Sequence, residues 1–247
     1  MINKCKRELK NIADKEQAIN LQRFFKTGKG DYGEGDVFLG LRMGETRSVA
    51  KKFIDMSFSQ VEQLLHSKEH EFRMAALLIL VFKFQRIKNP SLRFASGTRQ
   101  SGKEELKDIF DLYIKNTKYI NNWDLVDATT PQIVGQYLLD KDRKILYKMA
   151  KSKDLWEKRI SILATYTFIR NNQYEDTLKI ADILLNDEHD LIHKAVGWMV
   201  REVGNRDRNV EEKFLKTRYK DMPRTMLRYA IEKFPKELYQ RYLKGKI

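Results

Sequence analysis

Apolar residues return at three- and four-residue spacing along most of this chain, and that period constrains its fold more than any other feature. Ala76, Ile79, Leu80 and Lys83 mark one face of a helix over Glu69–Ile87. Ile160, Leu163, Ala164 and Thr167 do the same over Leu155–Arg170, and Ile192, Ala195, Val196 and Met199 over His189–Val203. Alternating strand patterns are scarce, and 247 residues include only 4 Pro and 12 Gly to interrupt helices. Short polar breaks, such as Asn171-Asn172 and Asn186-Asp187, separate the periodic segments. A helix with an apolar stripe must bury it against another, so the pattern predicts an all-α protein of stacked antiparallel helices.

Several of these segments resemble one another. Those beginning at Glu71, Trp156 and Leu191 start polar or bulky, pass a basic residue, then turn small and apolar; the segment from Pro223 is a fourth candidate. Lys158, His193 and Arg224 follow one another at steps of 35 and 31 residues, and Arg73 lies about two such steps earlier. Helix pairs recurring at this length point to a degenerate HEAT-like helical-repeat solenoid. Two stretches break the pattern. Lys26–Leu41 is Gly-rich, and Asn89–Gly102 holds Pro90, Ser91, Ser96, Gly97, Ser101 and Gly102; both are expected to be loops. Neither reads as an interdomain linker, so residues 1–247 are expected to form one domain.

Lys plus Arg number 48 against 34 Asp plus Glu, a formal net charge of +14. An excess of this size on a helical surface favours a polyanionic partner, nucleic acid first. The single cysteine, Cys5, excludes an internal disulfide framework and fits a reducing compartment. The first ten residues are polar and basic, unlike a signal peptide. The longest apolar run, Met74 to Phe82, is far short of the ~20 residues of a membrane span. A cytoplasmic protein is expected.

The most informative stretch runs from Asn121 to Asp127. Trp123 stands four residues before Asp127, so on a helix the two share a face. The competing reading fills the core with Trp123 and uses Asp127 or Thr130 to cap a helix opened by Pro131. Trp198, flanked by Arg201, is either a core tryptophan or a second functional one. Arg159 sits among apolar residues, where a charge needs an anionic ligand or a structural ion pair.

Taken in order, Trp-Asp-x-Val-Asp from Trp123, Trp-x-x-Arg from Trp156 and Lys-Ala-x-Gly-Trp-x-x-Arg-Glu from Lys194 resemble the AlkD branch of the bacterial alkylpurine DNA glycosylases. The segments Phe38–Arg47 and Arg224–Glu232 are similar to that family as well, so the likeness spans roughly Phe38 to Phe234. The resemblance implies a C-shaped HEAT-like solenoid with a basic concave face that grips duplex DNA. It implies that Asp127 is the catalytic carboxylate, that Trp123 and Trp198 face the sugar, that Arg159 binds a phosphate near the lesion, and that Arg201 contacts DNA. Arg42, Arg47 and Lys194, basic residues inside the matching segments, join them as DNA-binding candidates. The Lys26–Gly40 loop has no counterpart in the resemblance. Neither cofactor nor metal is implied, and a monomer is expected.

The chemistry suits these residues. A purine alkylated at N3 or N7 is cationic and leaves as a neutral base, so the demanding partner is the oxocarbenium-like sugar. A fixed carboxylate stabilises that cation and can activate water. Indole faces add cation–π attraction, and an arginine can hold a phosphate bidentately. The main alternative is a non-catalytic relative that binds damaged or branched DNA. A HEAT scaffold for acidic proteins or RNA is the third reading. His66 and His70 match an H-x-x-E-H zinc pattern, but the polar run between them reads as a turn, which argues against a shared helix. His189 and His193 read as surface or DNA-adjacent residues. The Gly28–Gly40 stretch lacks the ending of a phosphate-binding loop.

Overall fold

The structure is a computed structural model describing residues 1–89 and 99–247, with the side chains of 99–101 excepted. Its regular structure is helical, apart from one isolated parallel bridge between Val37 and Glu69. The all-α expectation is borne out. Among the described residues no helix is long and apolar enough to cross a membrane. The chain divides into two compact units, Met1–Ile133 and Val134–Ile247.

The first unit contains α1 (Ile2–Asn11), α2 (Lys15–Phe24), α3 (Met43–Lys51), α4 (Phe58–Leu65), α5 (His70–Lys88), α6 (Arg99–Lys115) and α7 (Trp123–Thr130). The helix expected over Glu69–Ile87 is α5, with Glu69 as its N-cap. Most of its residues are buried, on every side. A helix apolar all round belongs at the centre, and α5 packs against α1, α3, α4, α6 and α7. Lys83, read from the sequence as part of the buried face, is indeed buried, with its amine 5.4 Å from the Phe58 ring centroid.

The Gly-rich segment 26–41 is non-helical, as expected. It folds onto the start of α5. The Glu71 carboxylate accepts the N–H groups of Leu39 (2.8 Å), Gly40 (2.9 Å) and Leu41 (3.1 Å). Gly40 has φ +88, and a Cβ there would stand 1.9 Å from the Asp14 carbonyl oxygen, so only glycine fits. The second expected loop, Asn89–Gly102, is corrected in part. Residues 90–98, with Pro90, Ser91, Ser96 and Gly97, lie outside the described residues, but from Arg99 the chain is already helical. Ser101 and Gly102 therefore belong to α6. Ile109, Phe110 and Tyr113 bury one face of that helix, which outweighs the ~1 kcal/mol cost of one helical glycine.

The second unit contains α8 (Gln136–Leu138), α9 (Lys144–Ala150), α10 (Leu155–Arg170), α11 (Glu175–Ile183), α12 (Asp190–Gly204), α13 (Arg208–Lys216), α14 (Arg224–Ala230) and α15 (Lys236–Leu243). The predicted Leu155–Arg170 helix is recovered at both ends. Asp154 starts it by accepting the N–H groups of Trp156 and Glu157 at 2.8 and 2.9 Å. The similar segments around Lys158, His193 and Arg224 fall on α10, α12 and α14, and α12 packs against both of the others. That order is what a helical repeat requires. Gly197 makes the α12–α14 contact possible: a Cβ there would lie 2.4 Å from the Met226 carbonyl oxygen.

Candidate active site

Asn122 sets the start of α7. It is fully buried and extended (φ −151, ψ 152), and its side-chain oxygen accepts the Trp123 N–H at 2.8 Å. Trp123 opens the helix, and Asp127 follows one turn later on the same face; both are half-buried. The capping reading of Asp127 and Thr130 is corrected, because no new helix starts at Pro131: the helix that Asn122 opens runs on through it. Pro131 keeps helical dihedrals (φ −60, ψ −35) and opens a π-helical turn, Pro131–Gly135, with no break for a cap. The Thr130 hydroxyl instead pairs with the Tyr113 hydroxyl at 2.7 Å. Nor is Trp123 a sealed core residue. It borders a cleft of about 370 Å3 lined by Phe25, Phe38, Leu41, Arg42 and His70 among others.

Behind the indole lies an aromatic stack. Phe25 stacks on Trp123 at 5.2 Å and on Phe38 at 5.1 Å, and Phe38 stacks on the His70 ring at 4.4 Å. Phe24 meets Trp123 edge-on at 5.8 Å. His70 is 3% exposed and lies between two carboxylates, with Nδ1 3.0 Å from Asp36 and Nε2 2.9 Å from Asp124. Arg73 also donates to Asp36, and Asn122 donates to it at 3.3 Å. Burial alone would pull the imidazolium down, but the charges and hydrogen bonds of Asp124 and Asp36 outweigh it and raise the pKa from 6.5 to about 9. Burial would also raise Asp36; the hydrogen bond from His70 and the charge of Arg73 overcome that and hold its carboxyl below the usual value. Asp124 is thus engaged by His70 and by the Leu125 N–H.

The other candidates in this unit lie on α3 or at its start. Arg42 is exposed, lines the cleft, and donates its backbone N–H to Glu45 at 2.7 Å. Arg47 is exposed, its guanidinium 5.9 Å from the Phe82 ring centroid.

In the second unit the candidates gather on α10 and α12. Lys194, Trp198 and Arg201 recur at helical spacing along α12. Trp198 is half-buried, donates its indole N–H to Glu202 at 3.0 Å, and has Tyr166 at 6.0 Å. Arg201 pairs with Glu232 and lies 3.6 Å from Glu202. Lys194 pairs with Asp190 at 2.6 Å. Arg159, 4% exposed, donates to the Leu191 carbonyl in the first turn of α12.

His66 and His70 fall on either side of a break between α4 and α5, the turn the sequence indicated. His66 bonds Asn116 at 2.7 Å, whereas His70 serves the carboxylate pair. His189 caps α12 by accepting the Leu191 N–H, and His193 meets the Asp187 carbonyl. The sequence reading missed Asp36, His70, Asp124 and Asn122 as members of one cluster. Its only local trace is the polar pair flanking Trp123.

Residues 5–234 match a protein family described as DNA alkylation repair enzyme. Among solved structures, a predicted DNA alkylation repair enzyme from Enterococcus faecalis is similar, with a TM-score of 0.67 and 17% identity over 91% of this chain and 97% of that one. At that identity the likeness speaks to the fold. No curated protein matches the chain.

Proposed function

The chain belongs to the DNA alkylation repair enzyme family, and from that premise we propose that it is a DNA glycosylase. Its substrate is duplex DNA carrying cationic N3- or N7-alkylpurines, and its reaction is hydrolysis of the N-glycosidic bond in base excision repair. Residues 1–247 act together as one HEAT-like repeat domain, a cytoplasmic monomer, with the basic surplus of the chain on DNA phosphates.

The observation that carries this reading is the pairing of a half-buried carboxylate, Asp127, with a half-buried indole, Trp123, one turn apart on α7. The alkylated base leaves neutral, so the protein has no need of a strong acid at the leaving group. The electron-poor sugar is the demanding partner. Asp127 stabilises it and orients the attacking water. Trp123 and Trp198 set their indole faces beside the deoxyribose, each contributing on the order of 1–2 kcal/mol when desolvated. Arg159 and Arg201, with Arg42, Arg47 and Lys194, hold phosphates; Arg201 and Lys194 exchange their carboxylate partners for them. Selectivity then comes from the lability of the cationic base rather than from a pocket that encloses it.

Base release from N-methylated duplex DNA tests the reading. Asp127→Asn is expected to lower single-turnover excision by about 10²–10³-fold with duplex affinity largely kept. Equal excision by both proteins removes Asp127 from the mechanism. Binding without any release by the wild type favours the non-catalytic alternative.

A further inference from the structure

Trp123 is the residue of the site whose neighbours are least explained by packing alone. The two residues that flank it in sequence, Asn122 and Asp124, both reach the same buried cluster. Asn122 donates to Asp36 while its oxygen holds the Trp123 N–H. Asp124 takes the Nε2–H of His70, whose Nδ1 faces Asp36. The indole itself stacks on Phe25, Phe25 on Phe38, and Phe38 on the His70 ring. Backbone and ring of Trp123 therefore lead to one imidazole by separate routes.

The charge state of that imidazole follows from its partners. A neutral imidazole has one N–H donor, yet both ring nitrogens of His70 face carboxylates, which only accept. Only the doubly protonated ring satisfies both. The charged groups facing it are Asp36 from the Gly-rich loop and Asp124 from α7. Arg73 and Glu71 lie on its own helix, and Arg42 lines the same cleft.

We propose that Asp36 and His70 are positioning residues that clamp Asn122 and Asp124 and so fix the indole of Trp123 for its place beside the sugar. The assignment rests on the glycosylase reading for its purpose, but not for its geometry. It gives the otherwise unassigned loop around Asp36 a role: it carries the carboxylate at which Arg73, His70 and Asn122 meet. Loss of one proton from His70 strands a carboxylate, releases one bracket of Trp123, and leaves the fold of α7 otherwise capped by Asn122.

The test follows the indole N–H resonance of Trp123 in the full-length, ¹⁵N-labelled protein, assigned with Trp123→Phe, across neutral to alkaline pH. In the wild type it is expected to move with a midpoint near the raised value of His70, about 9, without the Trp156 and Trp198 resonances following. In His70→Gln that movement is lost, and single-turnover excision falls about 10- to 100-fold while duplex affinity changes by less than about threefold. A Trp123 resonance that ignores pH in the wild type overturns the proposal, and so does excision by a folded His70→Gln protein within about twofold of wild type. The wild-type titration does not depend on His70→Gln, so it decides the matter even where that variant fails to fold. Should the wild type release no base while its Trp123 resonance tracks His70, the positioning stands and the glycosylase reading falls.

Discussion

The two candidate tryptophans are held in opposite ways. Trp123 depends on partners far away in sequence: Phe25, Phe38 and His70 behind its ring, and Asp36 behind its flanking asparagine. Trp198 takes its polar partner from its own helix, which brings Glu202 under the indole N–H one turn later, with the Tyr166 ring of α10 at 6.0 Å and Arg201 pairing to Glu232 alongside. The first is a tertiary arrangement that exists only once a loop, α5 and α7 have met. The second is set largely by helical periodicity. A residue type and a proposed role are shared, but their physical support is not, so distant substitutions should disturb one and spare the other.

The largest expected difference comes from Asp36→Ala, which leaves Arg73 and His70 buried beside a missing carboxylate. Breaking a buried pair in this way costs about 3–5 kcal/mol, read as a lowered urea midpoint; a loss under about 1 kcal/mol would mean that the cluster is not what braces this unit.

Next comes pH. Glu211, on α13, is 2% exposed, and its Oε1 has no hydrogen-bond partner among the described residues. Burial chiefly, with Glu212 adding to it and Arg208 opposing, raises its pKa from 4.5 to about 8. The folded state then holds more protons than the unfolded one between those values, so stability falls as pH rises from about 4.5 to 8. His70 has the sign of a cation with partners: its contribution is complete below 6.5 and is lost as pH rises through about 9. Both units soften toward alkali, in windows that are offset. Glu211→Gln should flatten the lower window and leave the upper one, as followed by hydrogen exchange in each unit; a single shared window would erase the distinction.

The smallest effect is expected from Glu202→Gln. It weakens the acceptor for Trp198 and the contact with Arg201 at a half-exposed position, a cost below about 1 kcal/mol. Thermal unfolding measures it, and a cost as large as that of Asp36→Ala would show the two tryptophans to be equally dependent on ionic support.

This contrast also separates what the chain displayed openly from what it concealed. Helices α10 and α12 were legible because their apolar spacing is local, although His189, counted into the second helix, proves to be its N-cap. Trp123 and Asp127 were legible as a pair for the same reason, though the chain alone also allowed a cap at Asp127 and could not reveal that the helix begun at Asn122 continues through Pro131. The Gly-rich stretch could be read as non-helical but not as part of the site. Asp36 reaches His70 across 34 residues and Asn122 across 86, and no periodicity encodes such distances. The start of α6 was mistaken for loop because Ser101 and Gly102 are weak helix formers, while the apolar residues that hold the helix lie a turn or more further on.

Glu71 has a consequence for anions. Three successive amide hydrogens, from Leu39 to Leu41, converge on its two oxygens, forming the kind of backbone nest that elsewhere collects a phosphate. Here the concavity is filled from within by the protein's own carboxylate. A phosphate arriving at this turn meets a negative charge rather than open dipoles, which leaves its attraction to side chains such as Arg42 and lets the turn keep one shape with or without a polyanion present.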